Sequence, residues 1–246
     1  MASTPSLFDK HRVHLRAFGG SLAVILLVLL IAGIAVALAD PLLSVFGVDS
    51  DSALGRAAIS AAQFIGFGIA GGGYALLTDQ RQFISIELPS RSDMLWIGIG
   101  IVTLLALFGA VSGLFSLLGI ESADSAIVEQ GQDNPVYFLY LIPITIFLVG
   151  PTEELIFRGI IQGHFREAYG SVVAVITASS IFAVIHFSSY QGNGLIATLT
   201  TIMILGSTLG VIYERTRNLV VPAVVHGLFN TVQFFFVYAS ITTSMG

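Results

Sequence analysis

Three short clusters hold residue types that can hydrolyse a bond: Gly150-Pro151-Thr152-Glu153-Glu154-Leu155-Ile156-Phe157-Arg158, then Phe182-Ala183-Val184-Ile185-His186, then His226-Gly227-Leu228-Phe229-Asn230. Each lies inside a long apolar run, where a charged group at the bilayer centre costs roughly 2.5–3.5 kcal/mol even on the mildest insertion scale. On a helix Glu154 and Arg158 share a face four residues apart, in the favourable order with the acid first. Glu153 points about 100° away, so the spacing predicts a paired, structural carboxylate beside a free one that can act as a base. Pro151 removes a backbone hydrogen bond just before the acids and is expected to open room for water there. Phe182 with His186, and His226 with Asn230, are each one turn apart.

Apolar residues make up 55% of the 246 and charged ones only 10%, against about 25% charged in ordinary soluble domains. That composition excludes a soluble fold, and the net charge of -5 gives no reason to expect nucleic acid as a partner. There is no cysteine, which removes disulfides, thiolate metal sites and a cysteine nucleophile together.

The elements that must position these residues are membrane helices. The fold class is all-α and polytopic, with seven spans (a range of six to eight) at about 17–39, 54–77, 94–119, 137–165, 171–188, 194–213 and 219–240. The chain reads as one integral membrane domain, 1–246, with a cytoplasmic tail over 1–16. Lys10, Arg12 and Arg16 precede an apolar run that reaches Ala35-Val36-Ala37, but the run exceeds the roughly 7–15 residues of a cleaved signal. A retained first helix is therefore expected. Eight of the ten basic residues, Lys10, Arg12, Arg16, Arg81, Arg91, Arg166, Arg215 and Arg217, fall in alternate connections. The others carry Asp40, Asp49, Asp51, Glu121, Asp124, Glu129 and Asp133, with Arg56 the exception. This bias predicts a cytoplasmic N-terminus and an external C-terminus in the cell membrane.

With straight helices, Glu153 and His186 stand roughly 24 and 22 Å from the turn near 168–171 and face each other. His226 lies only about 12 Å from Asn218, too low unless a helix tilts or a loop dips. The remaining histidines have a bland reading: His11 and His14 in the solvated tail, and His164 near a helix end. Glu214 with Arg215 and Arg217 reads as an interface cap. Glycines 66, 68, 71, 72 and 73 in the second span read as helix packing.

The motifs EExxxR (Glu153, Glu154, Arg158), FxxxH (Phe182, His186) and HxxxN (His226, Asn230) resemble the CPBP intramembrane peptidases, which include the type II CAAX prenyl endopeptidases and bacteriocin-processing relatives. The resemblance covers about 90–240. It implies an endopeptidase in which Glu153 activates water, His186 orients it, and His226 and Asn230 stabilise the oxyanion, with Glu154, Arg158 and Phe182 supporting them. Its substrates would be peptides or lipidated proteins, including prenylated CAAX-type chain ends, within membrane lipid. No cofactor is expected. A zinc-dependent hydrolase on His186, His226 and Glu153 is the chemical alternative. A proton-coupled transporter or a non-catalytic scaffold are the rivals from other classes.

Overall fold

The computed structural model describes residues 13–78 and 80–244; Lys10, His11 and Arg12 lie outside the described residues. Seven helices are long and apolar enough to cross a membrane: α1 (Val13–Val45), α2 (Ala53–Leu77), α3 (Arg91–Leu117), α4 (Val136–Tyr169), α5 (Ser171–Ser189), α6 (Leu195–Thr216) and α7 (Val220–Ser244). The protein is an all-α, multi-pass membrane protein. Several ends run further than the apolar runs suggest, and α1 already includes His14 and Arg16, so the 1–16 tail is helical from Val13 onward.

Local chemistry explains the breaks. Ser52 caps α2 by accepting from the Gly55 N–H at 3.0 Å, and Ser90 with Asp93 forms a reciprocal capping box at the start of α3. Gly170, at φ 83°, makes the reversal from α4 to α5, a backbone region that costs a residue with a Cβ. Arg217 ends α6 in the left-handed region at φ 54°.

α4 is the axis of the bundle. Ile156 and Ile160 pack with Val24 and Val28 of α1, Phe67 and Ala70 of α2, and Ala174 and Ala178 of α5. Nearer its start, Tyr137, Phe138 and Leu141 pack with Ala53 and Ala57 of α2 and Phe234 of α7. A separate cluster joins α3, α6 and α7 through Leu104, Leu209, Ile212, Val221 and Val225. The large apolar side chains left outside, such as Leu22, Leu26, Leu29 and Leu30 of α1, suit hydrocarbon and would be a liability in water. The glycine reading for α2 holds in part. A methyl on Gly66 would sit 2.8 Å from the Ala32 Cα, whereas Gly72 and Gly73 face open space.

Two sets of connections define the ends. The basic face holds the 78–90 segment and the α4–α5 and α6–α7 turns. At the acidic face, the α3–α4 connection pairs with the α5–α6 connection as a two-residue ribbon, β1 (Asp124–Ser125) antiparallel to β2 (Tyr190–Gln191).

Candidate active site

The helix that carries Glu153 and Glu154 is not a regular α-helix around them. Gly150–Glu154 is α-helical, but Thr145–Val149 before it and Leu155–Ile161 after it are π-helical. Pro151 accounts for the first widening, because it has no N–H for the Phe147 carbonyl and its ring crowds that oxygen. The Gly150 N–H accordingly bonds back five residues to the Thr145 carbonyl, and the Thr152 hydroxyl donates to the Leu148 carbonyl at 2.7 Å. Wide turns of this kind concentrate at functional sites.

On this segment Glu153 is 7% exposed and Glu154 and Arg158 are 0% exposed. Arg158 Nε stands 3.2 Å from Glu154 Oε2, and Arg158 Nη2 donates to the Gly206 carbonyl of α6 at 3.1 Å. The expected ion pair is there, but it does not hold Glu154 alone. His226 of α7 turns Nδ1 to Glu154 Oε1 at 2.9 Å and Nε2 to Glu153 Oε2 at 3.7 Å. One imidazole thus stands between both carboxylates. Nδ1–H is the donor to Glu154, since a carboxylate only accepts, and this fixes which nitrogen faces Glu153. Glu153 is not free of partners as its spacing suggests, though its contact with His226 is longer than a hydrogen bond.

Phe182 organises the opposite wall. Its ring lies 4.8 Å from Phe157, 4.4 Å from His186 and 6.0 Å from His226 between centroids, with the Arg158 guanidinium carbon 5.2 Å from its centre. His186 Nδ1 donates to the Phe182 carbonyl at 2.7 Å, which leaves Nε2 with a lone pair for a neighbour. His186 begins a single 3-10 turn ending at Ser189, followed at once by β2. Tyr190 of β2 is a residue that sequence reasoning passed over. Burial and then the Glu153 carboxylate push its phenol pKa up, so it stays a protonated donor. Asn230 is half-buried, one turn beyond His226, and its Nδ2 lies 3.4 Å from the buried Thr145 hydroxyl.

The height of His226 is resolved by the 78–90 segment. Phe83 packs on Gly163 and Ile84 on Gly159 of α4, while the Ser85 carbonyl accepts from the Leu219 N–H at 2.8 Å and Asn218 Nδ2 donates to the Glu87 carbonyl at 3.0 Å. The α6–α7 turn therefore stands at the depth of Gly159–Gly163, not of Gly170. From there Glu154 and His226 are each about 10–12 Å up their helices. A close crossing holds them so: a methyl on Gly150 would sit 2.6 Å from the Ala223 carbonyl oxygen of α7.

His164, His14 and Glu214 each have partners that their positions in the sequence do not show. His164 is buried, with Nδ1 3.3 Å from Ser21 Oγ and its ring beside Tyr74 and Phe83. The His14 ring lies tilted against Tyr169, with 4.9 Å between centroids. Glu214 is a tie between helices: it accepts from Gln162 at 2.8 Å, pairs with Arg166 at 3.3 Å and with Arg217 at 2.7 Å. Among the described residues no three His, Asp or Glu side chains gather as a metal-ligand set.

Residues 135–232 match the family model of Type II CAAX prenyl endopeptidase Rce1-like proteins, a span inside 90–240 that holds all three motifs. The chain is also 28% identical over 170 residues to the uncharacterized protein YpbD of Bacillus subtilis (strain 168), covering 68% of this chain and 80% of that protein. No solved structure matches it.

Proposed function

We propose that the chain is an intramembrane endopeptidase that works by glutamate-activated water, a reading supported by the match of residues 135–232 to the family model of Type II CAAX prenyl endopeptidase Rce1-like proteins. One observation carries the reading: two buried, adjacent carboxylates face the two nitrogens of a single imidazole, and only one of them is neutralised by an arginine. A structural role needs one acid for one arginine. The second acid has no such duty, and it sits where a base is needed.

In this reading Glu153 takes a proton from water as the oxygen attacks the scissile carbonyl carbon. His186 Nε2, empty because Nδ1 is committed to Phe182, accepts the water's other hydrogen and aims it. The oxyanion is met by Asn230 Nδ2 and by His226 Nε2 carrying a proton; Glu153 is neutral once it holds the water's proton, so the net single positive charge of Glu154, Arg158 and His226 offsets the oxyanion. When the C–N bond breaks, the proton held by Glu153 passes to the leaving amine. Glu154 and Arg158 do not touch the reacting atoms; they hold His226 in place. Donors fixed in a dry cavity are worth far more than in water.

The substrate we propose is a membrane-associated peptide, of which a prenylated CAAX-type chain end is the first to test. The test is cleavage of a fluorogenic prenylated peptide by detergent-purified protein, wild type against Glu153→Ala, before and after exhaustive chelation. Activity that survives chelation and vanishes in the variant is expected. Loss on chelation with recovery in zinc would overturn the metal-free mechanism, and an active Glu153→Ala would overturn the site. Proton-coupled solute uptake into proteoliposomes without any cleavage would favour the transporter reading.

A further inference from the structure

On α5 the site lies next to the ribbon, on α4 it lies midway between the two faces, and on α7 it lies about two turns above the basic-face turn, so what distinguishes the faces is packing. His186 is four residues from β2, whose first residue is Tyr190. In the other direction sixteen residues of α4 separate Glu153 from Tyr169, roughly 20–24 Å of helix. That stretch is plugged. Arg158, Gln162, His164 and Phe165 are each at most 2% exposed, Phe83 covers Gly163, Phe18 closes edge-on over Phe165 at 5.2 Å, and Glu214 ties α6 across to Gln162 and Arg166. Toward the ribbon, by contrast, His186, Tyr190 and Asn230 are half-buried and Phe187 is 60% exposed.

The two faces differ in charge. On the ribbon side, the α1–α2 and α3–α4 connections carry Asp49, Asp51, Glu121, Asp124, Glu129 and Asp133, and the α5–α6 connection carries no charge. The one basic residue there, Arg56, is engaged with the Gln130 carbonyl. Arg16, Arg81, Arg91, Arg166, Arg215 and Arg217 lie at the opposite ends of the helices. Lys and Arg are retained on the cytoplasmic side. We propose that the site is fed with water and substrate from the non-cytoplasmic face, so that its substrate is an exported or externally exposed polypeptide segment. This rests on the peptidase reading for its substrate, though not for its geometry.

The chain has no cysteine, so single cysteines report accessibility without background. Phe187→Cys and Asn193→Cys mark the ribbon face and Glu167→Cys the basic face; Asn193 and Glu167 are exposed positions outside the site. A charged, membrane-impermeant maleimide on intact cells is expected to label the first two and to reach Glu167→Cys only after the membrane is opened. In sealed proteoliposomes sorted by that labelling, an impermeant quenched-fluorescent peptide already cleaved in detergent is expected to be cleaved only when supplied to the ribbon face. Labelling of Phe187→Cys or Asn193→Cys solely from the cytoplasmic side, or cleavage solely from the basic face, overturns the proposal. If no peptide is cleaved even in detergent, the peptidase reading fails while the labelling alone still decides the face.

Discussion

Replacing Arg158 by methionine tests whether the buried cluster is one electrostatic unit. The substitution keeps the aliphatic stem and removes the Glu154 contact at 3.2 Å and the Gly206 hydrogen bond at 3.1 Å. Leaving one member of a buried ion pair behind costs about 3–5 kcal/mol, whereas an interhelical hydrogen bond in a membrane protein averages about 0.6 kcal/mol. Most of the loss therefore comes from the stranded Glu154 carboxylate, which is 0% exposed and keeps only His226. Converting Glu154 to leucine as well removes the stranded charge. Arg158→Met/Glu154→Leu is expected to recover on the order of 2–4 kcal/mol of the single variant's loss, yet to stay inactive because His226 has lost the acceptor that holds its ring. The assay is reversible denaturant unfolding in detergent micelles for wild type, both single variants and the double, with peptidase turnover measured on the same samples. Additive destabilisation, with the double variant as unstable as the singles together, would refute the coupled unit. So would a stable double variant that cleaves normally.

Glu153→Gln is expected to leave the unfolding midpoint near wild type, since Arg158 does not pair with it, while turnover falls beyond detection. Asn230→Ala should lower kcat by roughly 100-fold to 1,000-fold with little change in KM, as loss of an oxyanion donor does; a KM effect alone would move Asn230 to substrate binding. Thr145→Val removes the hydroxyl 3.4 Å from Asn230 Nδ2 and should cost a smaller fraction of kcat in steady-state assays, with Thr145→Ser restoring it. Gly150→Val forces atoms within 2.6 Å of the Ala223 carbonyl, and unfolding measurements should show about 1–3 kcal/mol lost to overpacking.

The seven helices were readable in the sequence because lipid demands about twenty apolar residues per crossing, and each run here shows it plainly. Pairing of Glu154 with Arg158 followed from helical spacing for the same reason: both lie on one element, and the geometry of one element is local. What spacing could not show is everything that depends on how elements cross. His226 was set too low because the count started from the turn at Asn218, and nothing local says that the 78–90 segment lifts that turn to the level of Gly159–Gly163. Nor does any local pattern announce that a single imidazole divides two carboxylates. The burial of His164 has a related cause: it lies near a helix end, and α1 begins early enough to cover it with Ser21. The first π-helical stretch leaves a trace in Pro151 and Thr152, which together mark backbone carbonyls needing a substitute donor. Tyr190 leaves none, since it sits in a connection whose path is set only by its partner strand.

That ribbon has an energetic consequence. A two-residue strand pair has too few ladder bonds to be stable alone, and its supports are side-chain contacts at the surface: Gln191 donates to both oxygens of Glu129 at 2.8 Å, and the Ala123 N–H donates to Thr198 at 2.9 Å. Helices α4 and α7, by contrast, are in backbone contact at Gly150 and have no slack. If the site is the peptidase proposed above, admitting something as wide as a polypeptide requires some part of the wall to yield, and the cheapest part is the one stitched by a handful of hydrogen bonds near the surface. Opening there is a local unfolding event, on the microsecond-to-second scale of such motions, that leaves Glu153, Glu154, Arg158 and His226 standing. Turnover in such a molecule would be set by how often the ribbon comes apart, and the chemistry would wait on it.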